Sequence, residues 1–328
     1  MNHLAYLEYC TKLAKNGNSG ASPNPLVGSI VVHNNQIISE AWHKLYGGLH
    51  AERIALNKLL VTNSDLIKDS CLYVSLEPCN HSGKTPPCTN IILESGIRKV
   101  VYGEYDPNPL MAGKSAEYLK SRGIEVIGPL FQPDQAKLLQ SFSVNIQKSR
   151  PYIILKWAQS SDHFLGLRDQ RTIISNSYSD LINHKWRSEV DGILIGRKTA
   201  EIDKPKLTTR NWYGRNPKIF VLSNSKAKNN ETLPHEAKWL SSGLGLNQLL
   251  QKIYSEDQIG ILMVEGGEKT LNQFINMGLW DEARVISNHV LKLKDGIPAP
   301  ALSGKLVQNY TLGENGICIL LREELLKS

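Results

Sequence analysis

Two cysteines flank a polar loop in the stretch CLYVSLEPCNHSGKTPPCTN, which covers residues 71–90. Cys79 and Cys88 follow an apolar run typical of a buried strand, and Gly, Lys and two prolines lie between them. A disulfide, a metal site and an ordinary turn are three interpretations of this pattern. The chain has five cysteines, an odd and sparse set, and its N-terminus lacks the features of a signal peptide, so a disulfide is disfavoured.

A histidine and a glutamate upstream favour the metal site. His50 and Glu52 open the helix-like segment HAERIALNKLL. One imidazole and two thiolates supply three ligands to Zn²⁺ and leave its fourth position for water, while a nearby carboxylate can move the proton of that water. Residues two apart on a helix diverge by about 200°, so we expect His50 to precede the helix and Glu52 to lie in its first turn.

Each of these residues alone is more often a helix cap, a packed side chain or part of a turn. In this order, however, H-x-E, P-C and a further Cys match the signature of zinc nucleobase deaminases, in which the Glu is not a ligand. One departure is the eight residues, Asn80 to Pro87, between the cysteines, where the common form has two.

The elements that must position these residues alternate between helix and strand. In the first half, we expect helices near 3–16, from 50, near 88–95 and near 114–122, and strands at 27–32, 36–42, 71–76, 98–103 and 124–128. A second block has strand-like runs at 151–158, 191–199, 217–224, 259–267 and 316–324. The pattern predicts two α/β domains, 1–148 and 149–328, with the boundary between Gly128 and Pro151.

Composition fits a folded enzyme. Hydrophobic residues make up 41% of the chain and charged residues 21%, and the net charge is +7, which is compatible with phosphorylated substrates or with nucleic acid. No apolar run approaches the ~20 residues of a membrane span. We therefore expect a cytoplasmic protein.

Four motifs carry a resemblance to a known family: HAE at 50–52, EPCNHSGKTPPC at 77–88, PNPLVG at 23–28 and DPNP at 106–109. Together they resemble the deaminase domain of the bifunctional riboflavin-biosynthesis deaminase/reductase family. The resemblance implies a cytidine-deaminase-like α/β/α domain with His50, Cys79 and Cys88 as zinc ligands and Glu52 as proton shuttle. By the same resemblance, the substrate contacts are Asn24, His43 and Lys84, the lysine being suited to a phosphate.

The second half lacks a G-x-G-x-x-G fingerprint but contains Glu265 and two glycines between a strand and a helix, in IGILMVEGGEKTLNQFI. With PYIILKWAQSSD and WRSEVDGILIGRKTAEIDKPKLTTR, this segment resembles the reductase half of the same family, which has a dihydrofolate-reductase-like fold and uses NADPH. The implied cofactor contacts are Ala158, Thr199, Asp203, Gly267, Glu268, Lys269, Thr270 and Leu271. The implied substrate contacts are Arg187, Leu207, Arg210 and Glu265.

Departures from the family pattern cluster between residues 160 and 175. The family commonly has Ser-Leu-Asp-Gly where this chain has Ser-Ser-Asp-His, ending at His163, and Trp-Ile-Ser or Trp-Ile-Thr where this chain has Ile173-Ile174-Ser175. Arg171 occupies a position that is often Ser. We expect the cofactor contacts of this segment to differ from those of relatives.

The resemblance implies a two-step enzyme: zinc-dependent deamination of a phosphorylated diaminopyrimidine, then NADPH-dependent reduction of its ribosyl group. We expect a phosphorylated pyrimidine as the partner, no nucleic acid and no membrane, and a homo-oligomer is left open. One alternative is a tRNA or nucleoside deaminase with an appended domain. Another is a nucleic-acid-binding protein with a structural zinc, which requires a fourth protein ligand.

Overall fold

The chain divides into two units, Met1–Lys148 and Ser149–Ser328. The computed structural model describes residues 2–223, 237–241 and 243–326. Each unit has its own sheet and its own apolar core. Within the described residues, no helix combines the length and the hydropathy that crossing a membrane requires.

The N-terminal unit contains six α-helices and five strands among its described residues. The helices are α1 His3–Ala14, α2 Asn18–Ala21, α3 Ala51–Thr62, α4 Cys88–Ser95, α5 Lys114–Ser121 and α6 Pro133–Lys148. The strands are β1 Gly28–His33, β2 Gln36–Trp42, β3 Cys71–Leu76, β4 Lys99–Glu104 and β5 Glu125–Ile127. They form one sheet in the order β2-β1-β3-β4-β5, with β3, β4 and β5 parallel and β1 antiparallel to both of its neighbours.

Helices cover both faces of this sheet because alternate strand residues point to opposite sides. On β1, Ile30 and Val32 pack with α1, whereas Val31 packs with α3, α4 and α5. The predicted α/β layering is therefore confirmed. The predicted helices at 50, 88–95 and 114–122 and all five predicted strands are present within one or two residues of the expected bounds.

The C-terminal unit contains four α-helices and ten strands among its described residues. The helices are α7 Ser177–Ser188, α8 Arg197–Asp203, α9 Leu246–Ser255 and α10 Glu268–Asn276. The strands are β6 Tyr152–Gln159, β7 Phe164–Gly166, β8 Gly192–Gly196, β9 Lys218–Ser223, β10 Lys238–Ser241, β11 Ile261–Val264, β12 Glu282–Asn288, β13 Ile297–Pro298, β14 Lys305–Leu312 and β15 Asn315–Leu321.

Eight of these strands form one sheet in the order β10-β9-β8-β11-β6-β12-β15-β14. The first six are parallel to one another, and β15 and β14 continue the sheet antiparallel. The five predicted strand-like runs correspond to β6, β8, β9, β11 and β15, although Asn224 of the third run lies outside the described residues. The sequence pattern did not reveal β7, β10, β12, β13 or β14.

A buried ion pair fixes the start of β6. Arg150 donates two hydrogen bonds to the carboxylate of Asp281, at 2.5 and 2.9 Å, and Asp281 also accepts the backbone N–H of Ile153 at 2.8 Å. Asp281 is fully buried. The pair therefore joins β6 to the residue that precedes β12, its neighbour in the sheet.

Candidate active sites

Three metal-ligating side chains converge in the N-terminal unit. Nδ1 of His50 lies 3.4 Å from Sγ of Cys79 and 3.3 Å from Sγ of Cys88, and the ligand atoms of the three residues are all within 4.8 Å of one another. All five cysteines of the chain carry free thiols. One imidazole and two sulfurs in a cluster of this size are the donor set of a zinc site with one open position.

The elements of the unit bring these ligands together as the spacing predicted. His50 has extended backbone angles and immediately precedes α3, while Cys88 is the first residue of α4. The Cys88 backbone N–H donates a hydrogen bond to Sγ of Cys79 at 3.3 Å. A helix N-terminus favours negative charge, so this contact favours the thiolate form of Cys79.

The eight-residue insertion is closed at its base by hydrogen bonds. Thr89 donates its backbone N–H to the Cys79 carbonyl at 3.2 Å and its hydroxyl to Oδ1 of Asn80 at 2.7 Å. A hydrogen bond from the Cys88 side chain lowers the pKa of Cys79, against the opposing effect of burial. These hydrogen bonds hold the two ends of the insertion, and with them Cys79 and Cys88, close together.

Glu52 lies in the first turn of α3 and is almost completely buried, with 3% of its surface exposed. Burial raises the pKa of its carboxyl group, and the positive charge of His50 opposes that rise. The carboxyl group interacts with the Cys88 side chain, so it lies beside the ligand cluster. This is the position that a proton shuttle for the site would occupy.

Asn24 and His43 contact each other next to the ligand cluster. The Nδ1 atom of His43 lies 3.1 Å from the Leu49 carbonyl, which can only accept, so Nδ1 carries the proton. Nε2 then accepts a hydrogen bond from the Asn24 amide at 3.1 Å. Burial lowers the pKa of His43, and its ring meets the His50 ring edge-on at 5.2 Å between centroids. His43 is therefore a neutral residue with a fixed orientation.

Lys84 lies at the tip of the insertion with its side chain exposed. Its Nζ is 4.0 Å from the centroid of the Tyr46 ring. The next residue, Thr85, has its hydroxyl 3.5 Å from Nε2 of His50. Lys84 is therefore close in the chain to a residue that touches a candidate metal ligand.

A second polar cluster lies in the C-terminal unit and is centred on Glu265. Arg187 donates from Nε and Nη2 to the two carboxylate oxygens of Glu265, at 2.8 and 3.0 Å, and Nζ of Lys156 lies 3.5 Å from the same carboxylate. All three side chains are about nine-tenths buried. Glu265 directly follows β11, Lys156 lies on β6 and Arg187 on α7.

Burial and charge act in opposite directions within this cluster. Burial disfavours the charged form of Glu265, but Arg187 and Lys156 outweigh it and lower the pKa of Glu265 to about 2. Burial lowers the pKa of Lys156, and Glu265 only partly opposes that change. The cluster therefore holds a stable carboxylate beside a lysine whose proton is easier to release than that of a solvated lysine.

The predicted substrate arginines occupy different environments. Arg187 is engaged by Glu265 and by the Thr208 carbonyl, 3.5 Å from Nη1. Arg210 is exposed, and its Nη1 donates to the Thr208 hydroxyl at 3.4 Å. Leu207 is buried and has a positive φ of 51°, so it shapes the backbone of the same loop. Arg210 is therefore the guanidinium open to a phosphate here.

The predicted cofactor residues gather around the N-terminal ends of two helices. A Cβ atom added at Gly267 would lie 3.4 Å from the Thr199 hydroxyl, and one at Gly266 would lie 2.7 Å from Cβ of Thr270. Gly267 precedes α10, and no side chain caps that helix. The first turn, Glu268, Lys269 and Thr270, therefore presents its backbone N–H groups next to Thr199, an arrangement suited to a phosphate.

The remaining predicted cofactor residues flank this region. Asp203 is the last residue of α8; burial raises the pKa of its carboxyl group, and the charge of Arg171 opposes that rise. Leu271 is fully buried in the core beneath α10. Ala158 lies on β6, two residues beyond Lys156 and thus on the same face of the sheet.

The segment that departs from the family pattern forms the turn between β6 and β7 and the loop before α7. His163, where the family commonly has Gly, has a φ of 62°, the left-handed region that glycine adopts without strain. Asp162 stabilises the turn by accepting the backbone N–H groups of Leu293 and Lys294 at 3.1 and 2.8 Å. Ile173 is 76% exposed. The Ile173 side chain therefore makes little contact with the rest of the protein.

The sequence pattern did not single out Lys156 or Thr85. Lys156 interrupts the otherwise apolar run PYIILKWA, and a charged residue within a buried strand was the available signal. No sequence signal indicated Thr85, because its contact with His50 depends on how the insertion folds back towards the start of α3. Both residues contact side chains that the sequence did indicate.

Comparison with known proteins agrees with both halves of the chain. Residues 1–104 match the cytidine and deoxycytidylate deaminase zinc-binding region, and residues 151–291 match the RibD C-terminal domain. The riboflavin biosynthesis protein RibD of Aquifex aeolicus is 35% identical over 303 residues, which cover 84% of this chain and 84% of that protein. The predicted family and the two predicted domain types are thereby confirmed.

Two further relatives define the extent of the similarity. The diaminohydroxyphosphoribosylamino-pyrimidine deaminase of Buchnera aphidicola subsp. Schizaphis graminum is 42% identical over 151 residues, which cover 46% of this chain and 100% of that protein. The structure of a diaminohydroxyphosphoribosylaminopyrimidine deaminase/5-amino-6-(5-phosphoribosylamino)uracil reductase from Thermotoga maritima aligns with a TM-score of 0.84 at 29% identity. That alignment covers 98% of each chain. This chain belongs to the RibD family of riboflavin biosynthesis proteins.

Proposed function

We propose that this chain catalyses two successive steps of riboflavin biosynthesis. Residues 1–148 would hydrolyse an amino group from 2,5-diamino-6-ribosylamino-4(3H)-pyrimidinone 5′-phosphate. Residues 149–328 would then reduce the ribosyl group to a ribityl chain with NADPH. The observation that carries the proposal is the cluster of His50, Cys79 and Cys88 with the buried carboxyl group of Glu52 beside it.

The donor set of the N-terminal unit fits zinc. Two sulfurs and an imidazole nitrogen suit this metal better than Mg²⁺ or Ca²⁺, which prefer oxygen ligands. Zinc held there would lower the pKa of a water molecule to about 7 and so generate a nucleophile at neutral pH. Nδ1 of His50 faces both sulfurs, and Nε2 is then free to donate to the Thr85 hydroxyl, which would hold the ring in place.

Glu52 would carry protons in this reaction. It would accept protons from the attacking water and deliver one to the ring nitrogen and one to the amino group, which leaves as ammonia while the pyrimidine gains a carbonyl oxygen. Asn24 and His43 are held in place next to the ligand cluster by their hydrogen bonds. The amide and the neutral imidazole can there form hydrogen bonds to the pyrimidine ring of the substrate. Lys84 would bind the phosphate as a point charge.

The C-terminal unit fits a dinucleotide at the uncapped N-terminus of α10. Bound there, NADPH would supply the hydride that reduces the sugar. Lys156 can donate the proton that the ring oxygen requires when the ribose opens, because burial lowers its pKa and Glu265 holds its ammonium in place. Arg187 would keep Glu265 ionised, and Arg210 would bind the substrate phosphate.

Two alternatives fit the structure less well. A structural zinc in a nucleic-acid-binding protein needs four protein ligands, but across residues 2–223, 237–241 and 243–326 the cluster has three members. A nucleoside or tRNA deaminase would not require the Glu265 cluster. The second unit, which matches the RibD C-terminal domain, favours the two-step enzyme.

Metal analysis combined with two activity assays tests the proposal. The purified chain should contain about one zinc per molecule and release ammonia from the diaminopyrimidine phosphate without NADPH. Added NADPH should then be oxidised in proportion to the ammonia released. Ammonia release from cytidine but not from the diaminopyrimidine phosphate would contradict the proposed substrate.

A further inference from the structure

The side chain of Lys84 rests on the ring of Tyr46. Its Nζ lies 4.0 Å from the ring centroid, within the range of a cation–π contact. No ion pair or hydrogen bond holds Lys84 in the part of the chain that the structure describes. The aromatic ring is therefore the group that sets the direction of this exposed lysine.

Tyr46 is itself held firmly. Its backbone N–H donates to the Gly20 carbonyl at 2.9 Å, and its side chain is half-buried. The next residue, Gly47, has a φ of 75°, and a Cβ atom there would lie 3.2 Å from Cδ of Lys84. The lysine stem thus crosses a glycine on its way to the ring, and Tyr46 with Gly47 forms a platform for the whole side chain.

This platform lies beside the ligand cluster of His50, Cys79 and Cys88. Tyr46 and Gly47 belong to the segment between His43 and His50, whose rings are 5.2 Å apart. Thr85, the neighbour of Lys84, contacts His50 from the other side. The two segments that carry Tyr46 and Lys84 are therefore each tied to the residues of the candidate deaminase site.

We propose that Tyr46 is a positioning residue that holds Lys84 ready for the 5′-phosphate of the substrate. This inference rests on the proposed function. A free lysine loses much side-chain entropy when it binds a phosphate, and a lysine already held on a ring loses less. The ring covers one side of the ammonium, so the N–H groups on its other side stay free for phosphate oxygens.

A comparison of Tyr46→Leu with Tyr46→Phe tests the proposal. An exposed cation–π contact corresponds to a change of about two- to fivefold in an equilibrium. Tyr46→Leu should therefore raise KM for deamination of the diaminopyrimidine phosphate about threefold and leave kcat unchanged, whereas Tyr46→Phe, which keeps the ring, should behave as wild type. Tyr118→Leu is the matched control, because the Tyr118 ring on α5 contacts a different cation, Arg122, whose Cζ lies 5.1 Å from the ring centroid.

A double-mutant cycle separates positioning of Lys84 from other effects. Lys84→Met should raise KM on its own, and Tyr46→Leu should add nothing in that background. Three results would each overturn the role of Tyr46. They are additive effects of the two substitutions on KM, an unchanged KM in Tyr46→Leu, and a loss of kcat in Tyr46→Leu at normal zinc content. Absence of ammonia release by the wild-type protein would instead contradict the proposed function, so the two failures are distinguishable.

Discussion

At the scale of single residues, Glu52 combines a position set by local sequence with a burial set by the fold. Its place in the first turn of α3 follows from its spacing to His50. Its burial depends on the surrounding elements, which leave 3% of its surface exposed beside Cys88. A carboxyl group in this setting can exchange protons with a water molecule without binding the metal itself.

Glu52→Gln should keep the zinc but lose deamination, since a neutral amide cannot accept the proton of the attacking water while the three ligands are untouched. We expect ammonia release to fall by about 10²- to 10⁴-fold, the usual contribution of a general acid–base group. Zinc content by elemental analysis and ammonia release measure the two effects. Glu94→Gln, an exposed site on α4, is the control; near-normal turnover of Glu52→Gln would refute the assigned role.

Arg171 and Ile173 should affect the binding of NADPH. Arg171 interacts with Asp203 at the end of α8, so Arg171→Ala should weaken the binding of NADPH and make it less sensitive to salt.

Ile173 is largely exposed, and Ile173→Trp should strengthen the binding of NADPH by about 1 kcal/mol if the new ring stacks on the cofactor. Titration of both variants at two ionic strengths measures these effects. Unchanged affinity in both would place residues 171–173 outside the cofactor site.

At the scale of elements, the Glu265 cluster joins three parts of the C-terminal unit. Glu265 ends β11, its carboxylate binds Arg187 on α7, and Lys156 approaches it from β6. A charge buried in this way is stable only while its partners remain ionised and in place. The cluster should therefore contribute to stability as well as to the chemistry of the site.

This contribution should depend on pH in a defined direction. The folded pKa of Glu265 is about 2, below its ordinary value of 4.5, so the stabilisation is complete above pH 4.5 and is lost as the pH falls towards 2. The difference between the folded and the ordinary pKa of Glu265 corresponds to about 3 kcal/mol of folding free energy. Glu265→Gln should therefore be destabilised at pH 7, and the gap to wild type should shrink between pH 4.5 and pH 2.

Urea unfolding followed by tryptophan fluorescence measures this change. Five of the six tryptophans lie in Ser149–Ser328, so the signal reports mainly on the C-terminal unit. Glu256→Gln, an exposed position directly after α9, controls for the substitution itself. A gap between Glu265→Gln and wild type that stays constant with pH would show that the carboxylate does not titrate as argued.

At the scale of the whole molecule, each of the two candidate sites is built from one unit. The candidate zinc ligands and Glu52 all belong to Met1–Lys148, and the Glu265 cluster belongs to Ser149–Ser328. The Buchnera deaminase aligns over its entire length with less than half of this chain. The two activities should therefore be separable by mutation.

Cys88→Ser should abolish deamination, because it removes one of three metal ligands, yet leave NADPH oxidation measurable when the deaminated intermediate is supplied. Glu265→Gln should have the opposite pattern, with normal ammonia release and slow NADPH oxidation. The two assays on both variants decide the question. Loss of both activities in a variant that remains folded would show that the sites depend on each other.

Features that depend on neighbouring residues were predictable from the order of the amino acids. Periodicity predicted the helix after His50, the helix that begins at Cys88 and the five strands of the N-terminal sheet, because helix and strand geometry repeats over a few residues. The H-x-E and P-C motifs likewise indicated His50, Cys79 and Cys88, which the structure brings together as a group that could hold a metal ion. Family motifs extended this interpretation to the C-terminal half.

Contacts between groups that are distant in the chain became known from the folded structure. In the sheet, β12 lies between β6 and β15, and it pairs with β6 through residues about 130 positions apart. The carboxylate of Glu265 binds Arg187 and lies close to Lys156, which are also distant in the chain. The cation–π contact between Lys84 and Tyr46 also depends on the way in which two loops fold against each other. Local periodicity cannot specify such contacts, because strand order and burial are set by the packing of the whole unit and not by the spacing of adjacent residues.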